Sequence, residues 1–332
     1  MPMNYSDGIM EQKTATFIDL TQLALLDVEA AMRTSPDEHH PNLDDAIEKL
    51  LTSGGKRIRP RTVILIGEML GGNQGRIITH AAAIELLHTA TLVHDDLVDG
   101  SLLRRGTPTI NSKWGPDATV LAGDYIFARA AYHAAMTGSL PLMESFAKTL
   151  MIIANGEFTQ LFDINTQNLR ETYLEHIYAK TASLFEVAAE GAALISHSDA
   201  GTIESMKSFG RNIGLAFQIV DDVLDFSGVQ DDIGKPVASD LRQGVITLPA
   251  VYYFEERNTS SAYIKRVCEL EIGEDEKLDL IEDIRGSDGI NRAIEDAEGY
   301  IKVAIRDLED APRCQAQRAL VELAEFITQR SA

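Results

Sequence analysis

The chain has 332 residues, of which 51 are acidic and 30 basic, a net charge of −21. That balance excludes a nucleic-acid backbone as partner, and any anion the protein handles needs a local basic pocket or divalent cations as intermediaries. Hydrophobic residues make up 45% of the chain, enough for a sizeable core. Its two cysteines, Cys268 and Cys314, cannot build a disulfide framework and read as ordinary residues of a reducing compartment. The N-terminal stretch MPMNYSDGIMEQK has no basic region followed by an apolar one, and no apolar run approaches 18 residues, so the expectation is a soluble, cytoplasmic protein.

Apolar residues recur at intervals of three and four rather than two, and β-branched runs are short, so the chain reads as almost entirely helical. The first break, SPDEHHPN (35–42), is followed by SGGKRIRP (53–60), which sets Lys56, Arg57 and Arg59 beside two glycines just before a helix. Its spacing is not that of a nucleotide P-loop. After GGNQG (71–75) a helix runs through THAAAIELLHTATLVHDDLVD and ends in Asp95, Asp96 and Asp99, at i, i+1 and i+4. At 100° per residue these three carboxylates crowd one edge of a helix C-terminus, where they repel one another and oppose the helix dipole. A bound cation resolves the conflict. Arg104 and Arg105 follow in a loop with Gly106, and their guanidinium forks suit phosphate oxygens.

Beyond the break at TGSLP (137–141), LMESFAKTLMIIANGEF is apolar on most faces and belongs inside a bundle. Lys180 and Thr181 come next, then a break at SHSDAG (196–201). The helix ESMKSFGRNIGLAFQIVDDVLDF repeats the device, with Asp221, Asp222 and Asp225 again at i, i+1 and i+4. One D-D-x-x-D in so acidic a chain reads as a solvated helix face; two, each closing an apolar helix, do not. Carboxylates of this kind are hard oxygen ligands suited to Mg²⁺, which keeps several waters and takes substrate phosphates besides. Two facing clusters have room for two or three ions around one diphosphate. The long break SGVQDDIGKPVASDLRQG (227–244) contributes Lys235, and past residue 255 the chain grows more charged, as amphipathic outer helices without a motif. Nothing in the composition divides the chain, so a single domain over 1–332 is expected, its motifs within about 40–250.

The ordered set GGKRIRP, HDDLVD with LLRRG, KT, FQIVDDVLD and GKP resembles the trans-prenyltransferases, the polyprenyl diphosphate synthases. The resemblance implies an all-α bundle of ten or more helices around a deep apolar cavity, working as a homodimer. It implies that Asp95, Asp96, Asp99, Asp221, Asp222 and, more loosely, Asp225 bind Mg²⁺ bridging to an allylic diphosphate. By the same resemblance, Arg104, Lys180, Gln218 and Lys235 contact that diphosphate, Thr181 helps place it, and Lys56, Arg59, His88 and Arg105 hold isopentenyl diphosphate. His88 stands seven residues before Asp95, within about 20° of it on the helix; read alone, it is as well explained as a core histidine. Where many short-chain members carry a further lysine after the GKP loop, this chain has Gly244-Val245-Ile246-Thr247.

Ionising the allylic C–O bond loads charge on the departing diphosphate, which cations already in place stabilise, and the resulting carbocation needs a dry pocket. Residues before Asp95 descend from that site, Ala81 by about 21 Å. One turn down, Ala90 and Thr91 are small where short-chain relatives often carry aromatics, so a tail can pass and a product longer than C20 is expected, its stop set deeper by residues such as Phe146, Leu150 or Phe158. The lesser reading is that these small residues merely permit helix packing, with the floor supplied by another helix. A farnesyl or geranylgeranyl diphosphate synthase is the nearest alternative; a terpene cyclase would leave the basic loops without a role, as would an acidic metal-binding protein. A long product also makes transient membrane contact on release part of the expectation.

Overall fold

The computed structural model describes residues 16–34, 40–52, 55–104, 106–162, 165–227 and 237–329. Lys235 and Arg105 lie outside the described residues. Helix α1 (Phe17–Arg33) opens with a reciprocal cap: the Thr16 side chain accepts from the Asp19 N–H while the Asp19 carboxylate accepts from the Thr16 N–H. Helices α2 (Pro41–Thr52) and α3 (Ile58–Met69) lead to α4 (Gln74–Val98), capped by Asn73, whose side chain accepts from the Arg76 N–H. Both α3 and α4 are apolar on nearly every face and lie at the centre, with Val63, Leu65, Ala81, Ala82, Ala83 and Leu87 fully buried.

A small hairpin follows, β1 (Leu103–Arg104) antiparallel to β2 (Thr107–Pro108), in a segment the sequence presents as loop. Helix α5 (Ile110–Met136) is interrupted at Gly115, whose φ of 82° is followed by Pro116, a break absent from the sequence reading. Helices α6 (Leu140–Phe162) and α7 (Leu169–Ile177) precede a single π-helical turn, Tyr178–Ala182, which passes directly into α8 (Ser183–Ile195). Then come α9 (Ala200–Ser227), the short α10 (Ser239–Arg242), α11 (Leu248–Glu256), α12 (Ser261–Cys268), α13 (Glu274–Arg285), α14 (Gly289–Arg306) and α15 (Gln315–Thr328).

The main hydrophobic cluster reaches from Phe17 to Ile327 and contains the inner faces of α3, α4, α8 and α9. A smaller one, around Phe226, Phe254, Ile264 and Ile284, lies under α10–α13. The C-terminal region is not merely an outer layer, as expected. Helix α14 packs along α9 and α15 along α3, and Ala293, Ala297, Ile301 and Ala304 of α14 belong to the main cluster. Alanines at helical spacing let the backbones approach closely, and the amphipathic pattern they help to make does not reveal that the partner is a central helix. No described helix is long and apolar enough to cross a membrane.

Candidate active site

The first aspartate trio ends α4. Asp96 is buried, and its Oδ1 accepts from Arg104 Nε at 2.8 Å. The hairpin makes this possible: Gly106, at a φ of 75°, closes the turn that brings β1 back, and the Ser101 N–H caps the Asp96 carbonyl at 2.9 Å. Asp95 is half-buried, and burial lifts its carboxyl to about 6; Lys180 opposes the rise while Glu157 and Asp99 add to it. Asp99 caps the helix and is exposed.

Lys180 comes from the π turn. Its Nζ lies 3.2 Å from Glu157 Oε1 of α6; burial works against its charge, but Asp95 and Glu157 more than compensate and hold its pKa above the ordinary lysine value. The next residue faces a different helix. Thr181 Oγ1 donates to Gln218 Oε1 at 2.6 Å, and Gln218 Nε2 donates to Asp222 Oδ1 at 2.8 Å. The other carboxylate oxygen of Asp222 accepts from the Tyr173 hydroxyl at 2.7 Å. Asp222 is buried, and desolvation raises its carboxyl to about 8 despite the Tyr173 hydrogen bond. The π turn itself is gripped by two glycines: a Cβ on Gly156 of α6 would sit 2.4 Å from the Ala179 Cβ, and one on Gly214 of α9 would sit 2.6 Å from the Ala182 Cα.

Asp221 is half-buried and acts electrostatically on Arg59. Asp225 is engaged differently, accepting from the Ser239 hydroxyl at 2.8 Å and from the Ser239 and Asp240 N–H groups, which makes it the N-terminal anchor of α10.

The basic loop before α3 divides its labour. Arg57, in the left-handed region at a φ of 49°, is consumed by structure: it pairs with Glu85 and Glu29 and donates to the Leu51 carbonyl. It shares the basic run with Lys56 and Arg59 but is not among the residues the resemblance gives to substrate, and here it is a brace between α3 and α4. Arg59 points elsewhere. Its guanidinium lies 4.4 Å over the Phe185 ring and 5.8 Å from that of Phe217, its Nε is buried without a hydrogen-bond partner, and desolvation lowers its pKa to about 10. A desolvated, ring-flanked guanidinium is a ready site for an anion. Lys56 Nζ sits 4.4 Å over the ring of Phe326 in α15, which also packs on Phe17, and the Phe17 N–H donates to Glu322 at 2.9 Å.

His88 is half-buried on α4, and its carbonyl accepts from the Thr91 hydroxyl at 2.8 Å. Ala90 is fully buried in the main cluster, as is Phe146 at 1% exposure, and Leu150 packs partly buried against it. Phe158 does not face the interior: it is 65% exposed, its ring 5.8 Å from Phe162. Sequence reasoning passed over Glu157, Tyr173, Phe185 and Phe217. The last three look like core residues by their helical spacing, and Glu157, one acidic residue among the chain's many, carried no signal of its own.

Residues 40–284 match the family model described as Polyprenyl synthetase. The chain belongs to the polyprenyl synthetase family. It is 36% identical over 288 residues to octaprenyl diphosphate synthase of Haemophilus influenzae, covering 85% of this chain and 86% of that relative. Among solved structures, polyprenyl synthase of Caulobacter crescentus, in complex with calcium and isoprenyl diphosphate, superposes with a TM-score of 0.87 at 33% identity, over 97% of this chain and 100% of that one. Decaprenyl diphosphate synthase of Rhodobacter capsulatus superposes with a TM-score of 0.86 at 31% identity, over 95% and 98%.

Proposed function

We propose that this prenyltransferase condenses isopentenyl diphosphate repeatedly with an allylic diphosphate to give an all-trans polyprenyl diphosphate longer than C20. One observation carries the reading: a single continuous segment, α7 through α8, joins both carboxylate-bearing helix ends. From it Lys180 reaches toward Asp95 and Glu157, while Thr181 and Tyr173 reach through Gln218 and Asp222 to α9. Cations and carboxylates thus converge where a diphosphate bridged by metal would sit. The octaprenyl and decaprenyl relatives support a long product.

The donor set fits Mg²⁺. Asp95, Asp96, Asp99 and Asp221 offer hard oxygens at two helix ends, with Asp95 under the added negative field of Glu157 and Asp99. Among the described residues no three His, Cys, Asp or Glu stand together as a metal-holding group; a Mg²⁺ ion held by these aspartates would take its remaining ligands from water and substrate phosphate, as this ion ordinarily does. When bound, Mg²⁺ supplies Lewis-acid stabilisation of the departing diphosphate, two or three ions serving one group.

The chain's own residues do the rest. Lys180 and Arg104 stand ready for charge on the leaving group, and Arg59 with Lys56 and His88 hold isopentenyl diphosphate against Phe185 and Phe217. The apolar helices exclude water from the carbocation, and the proton lost after condensation goes to pyrophosphate. Exposed apolar side chains on α5 and α6, Leu121, Met136, Met151 and Phe158 among them, support a homodimer. Cytoplasmic synthesis with transfer of the long product to a membrane completes the reading.

Incubation with Mg²⁺, labelled isopentenyl diphosphate and farnesyl diphosphate tests it. A product ladder ending well past C20 by mass is expected; a stop at C20 or shorter would refute the length assignment, and no incorporation the activity.

A further inference from the structure

We propose that Tyr173 is a positioning residue for the diphosphate site, acting with the π turn to fix the Asp222 carboxylate as an anchor for Gln218 and Thr181 rather than as a metal ligand. This rests on the functional reading above and refines it, because it divides the second aspartate pair into one ligand, Asp221, and one anchor.

The argument starts from helical phase. In an unbroken α-helix Tyr173 and Lys180, seven residues apart, would share a face, and Thr181 would lie about 80° from Tyr173. The structure has the opposite arrangement: Tyr173 and Thr181 both address α9, while Lys180 turns to Glu157 of α6. The under-wound π turn between them, with its i→i+5 hydrogen bonding, absorbs the offset. Gly156 and Gly214 leave room for no side chain against Ala179 and Ala182, so the turn is seated between α6 and α9.

Asp222 has both oxygens occupied. Oδ2 accepts from Tyr173 and Oδ1 from Gln218, and only 3% of the residue is exposed. Each oxygen keeps a lone pair, but with so little of the side chain exposed neither opens outward, so to ligate a metal Asp222 would have to turn out of its seat and leave the buried Tyr173 phenol unpaired. Held as it is, it fixes the Gln218 amide so that its carbonyl accepts from Thr181, and this ties the π turn, and Lys180 with it, to the helix that carries Asp221. Tyr173 is in turn secured through α7: Arg170 Nη2 pairs with Asp296 of α14 at 2.9 Å.

The test is Tyr173→Phe, read by calorimetry with inorganic pyrophosphate in Mg²⁺ and by steady-state kinetics. The expected result is an affinity for Mg²⁺–pyrophosphate about tenfold weaker and a kcat about tenfold lower, the loss appropriate to one buried hydrogen bond to a carboxylate, with KM for isopentenyl diphosphate unchanged. In an Asp222→Asn background the same substitution adds less than about twofold. Unchanged pyrophosphate affinity with only a lower melting temperature would make Tyr173 merely structural and overturn the proposal, as would a full tenfold loss in the Asp222→Asn background. Should Tyr173→Phe not fold, the comparison of Asp221→Asn with Asp222→Asn decides: the former must cost at least about tenfold more Mg²⁺–pyrophosphate affinity, and equal losses refute the anchor. Pyrophosphate binding by wild-type protein that makes no polyprenyl product would sink the functional reading and leave these binding arms intact.

Discussion

Asp95 and Arg59 are ionisable groups set where burial opposes their charge, and on the proposed function each would be eased by a ligand of opposite sign. The carboxyl of Asp95, lifted by burial to about 6, is largely ionised at neutral pH but takes up a proton as pH falls through that value. Protons then compete with the metal. The half-saturating Mg²⁺ concentration for pyrophosphate binding is expected to rise by up to about tenfold per pH unit below 6 and to be nearly flat above 7; calorimetry across pH 5 to 8 checks this, and a flat profile throughout would contradict it. The carboxylates were legible in the sequence because their spacing forces them onto one helix edge. Arg57 and Arg59 follow the same glycines in the same basic run, and only the resemblance, which names Arg59 and passes over Arg57, tells them apart there. The physical reason lies in the left-handed backbone at Arg57, which turns that side chain to Glu85 as a brace and leaves Arg59 for the proposed anion site.

At the scale of elements, the helices were readable from apolar periodicity and the breaks from glycine and proline, whereas the π turn was not. Its sequence, YAKTA, continues the helical pattern without a breaker, and the evidence for it lies on two other helices, at Gly156 and Gly214. Gly214→Ala tests its importance. The new Cβ would meet the Ala182 backbone at 2.6 Å and the Ala182 and Phe185 side chains at 3.0 Å, and backbone cannot yield cheaply. A loss of about 1–3 kcal/mol of stability is expected, measurable by denaturant unfolding, with a fall in activity larger than that of an equally destabilising substitution far from the turn. The roles of α14 and α15 were also hidden: a clear amphipathic pattern marks one buried face on each, but not that this face meets the central helices α9 and α3.

For the whole molecule, a charge of −21 coexists with exposed apolar side chains on two neighbouring helices, α5 and α6. Met151 and Phe158 are each 65% exposed, a poor arrangement for a lone subunit and a natural one for a paired surface. The double substitution Met151→Glu with Phe158→Glu is expected to convert a dimer to monomers in sedimentation velocity, two carboxylates being costly in a buried apolar interface; a wild-type monomer, or a dimer indifferent to the change, would remove these helices from the interface.

The clasp between α1 and α15 bears on how the molecule comes apart. Phe17 and Glu322 join the first and last described helices, and Phe326 between them supports Lys56. Lys56, placed by the proposed function at the isopentenyl diphosphate site, is therefore held against an aromatic ring whose own support comes from α1. Breaking the clasp, as by Phe17→Ala, is expected to speed amide exchange in α1 and α15 together and, on the proposed function, to weaken the hold on isopentenyl diphosphate while the aspartate-bearing ends of α4 and α9 stay folded.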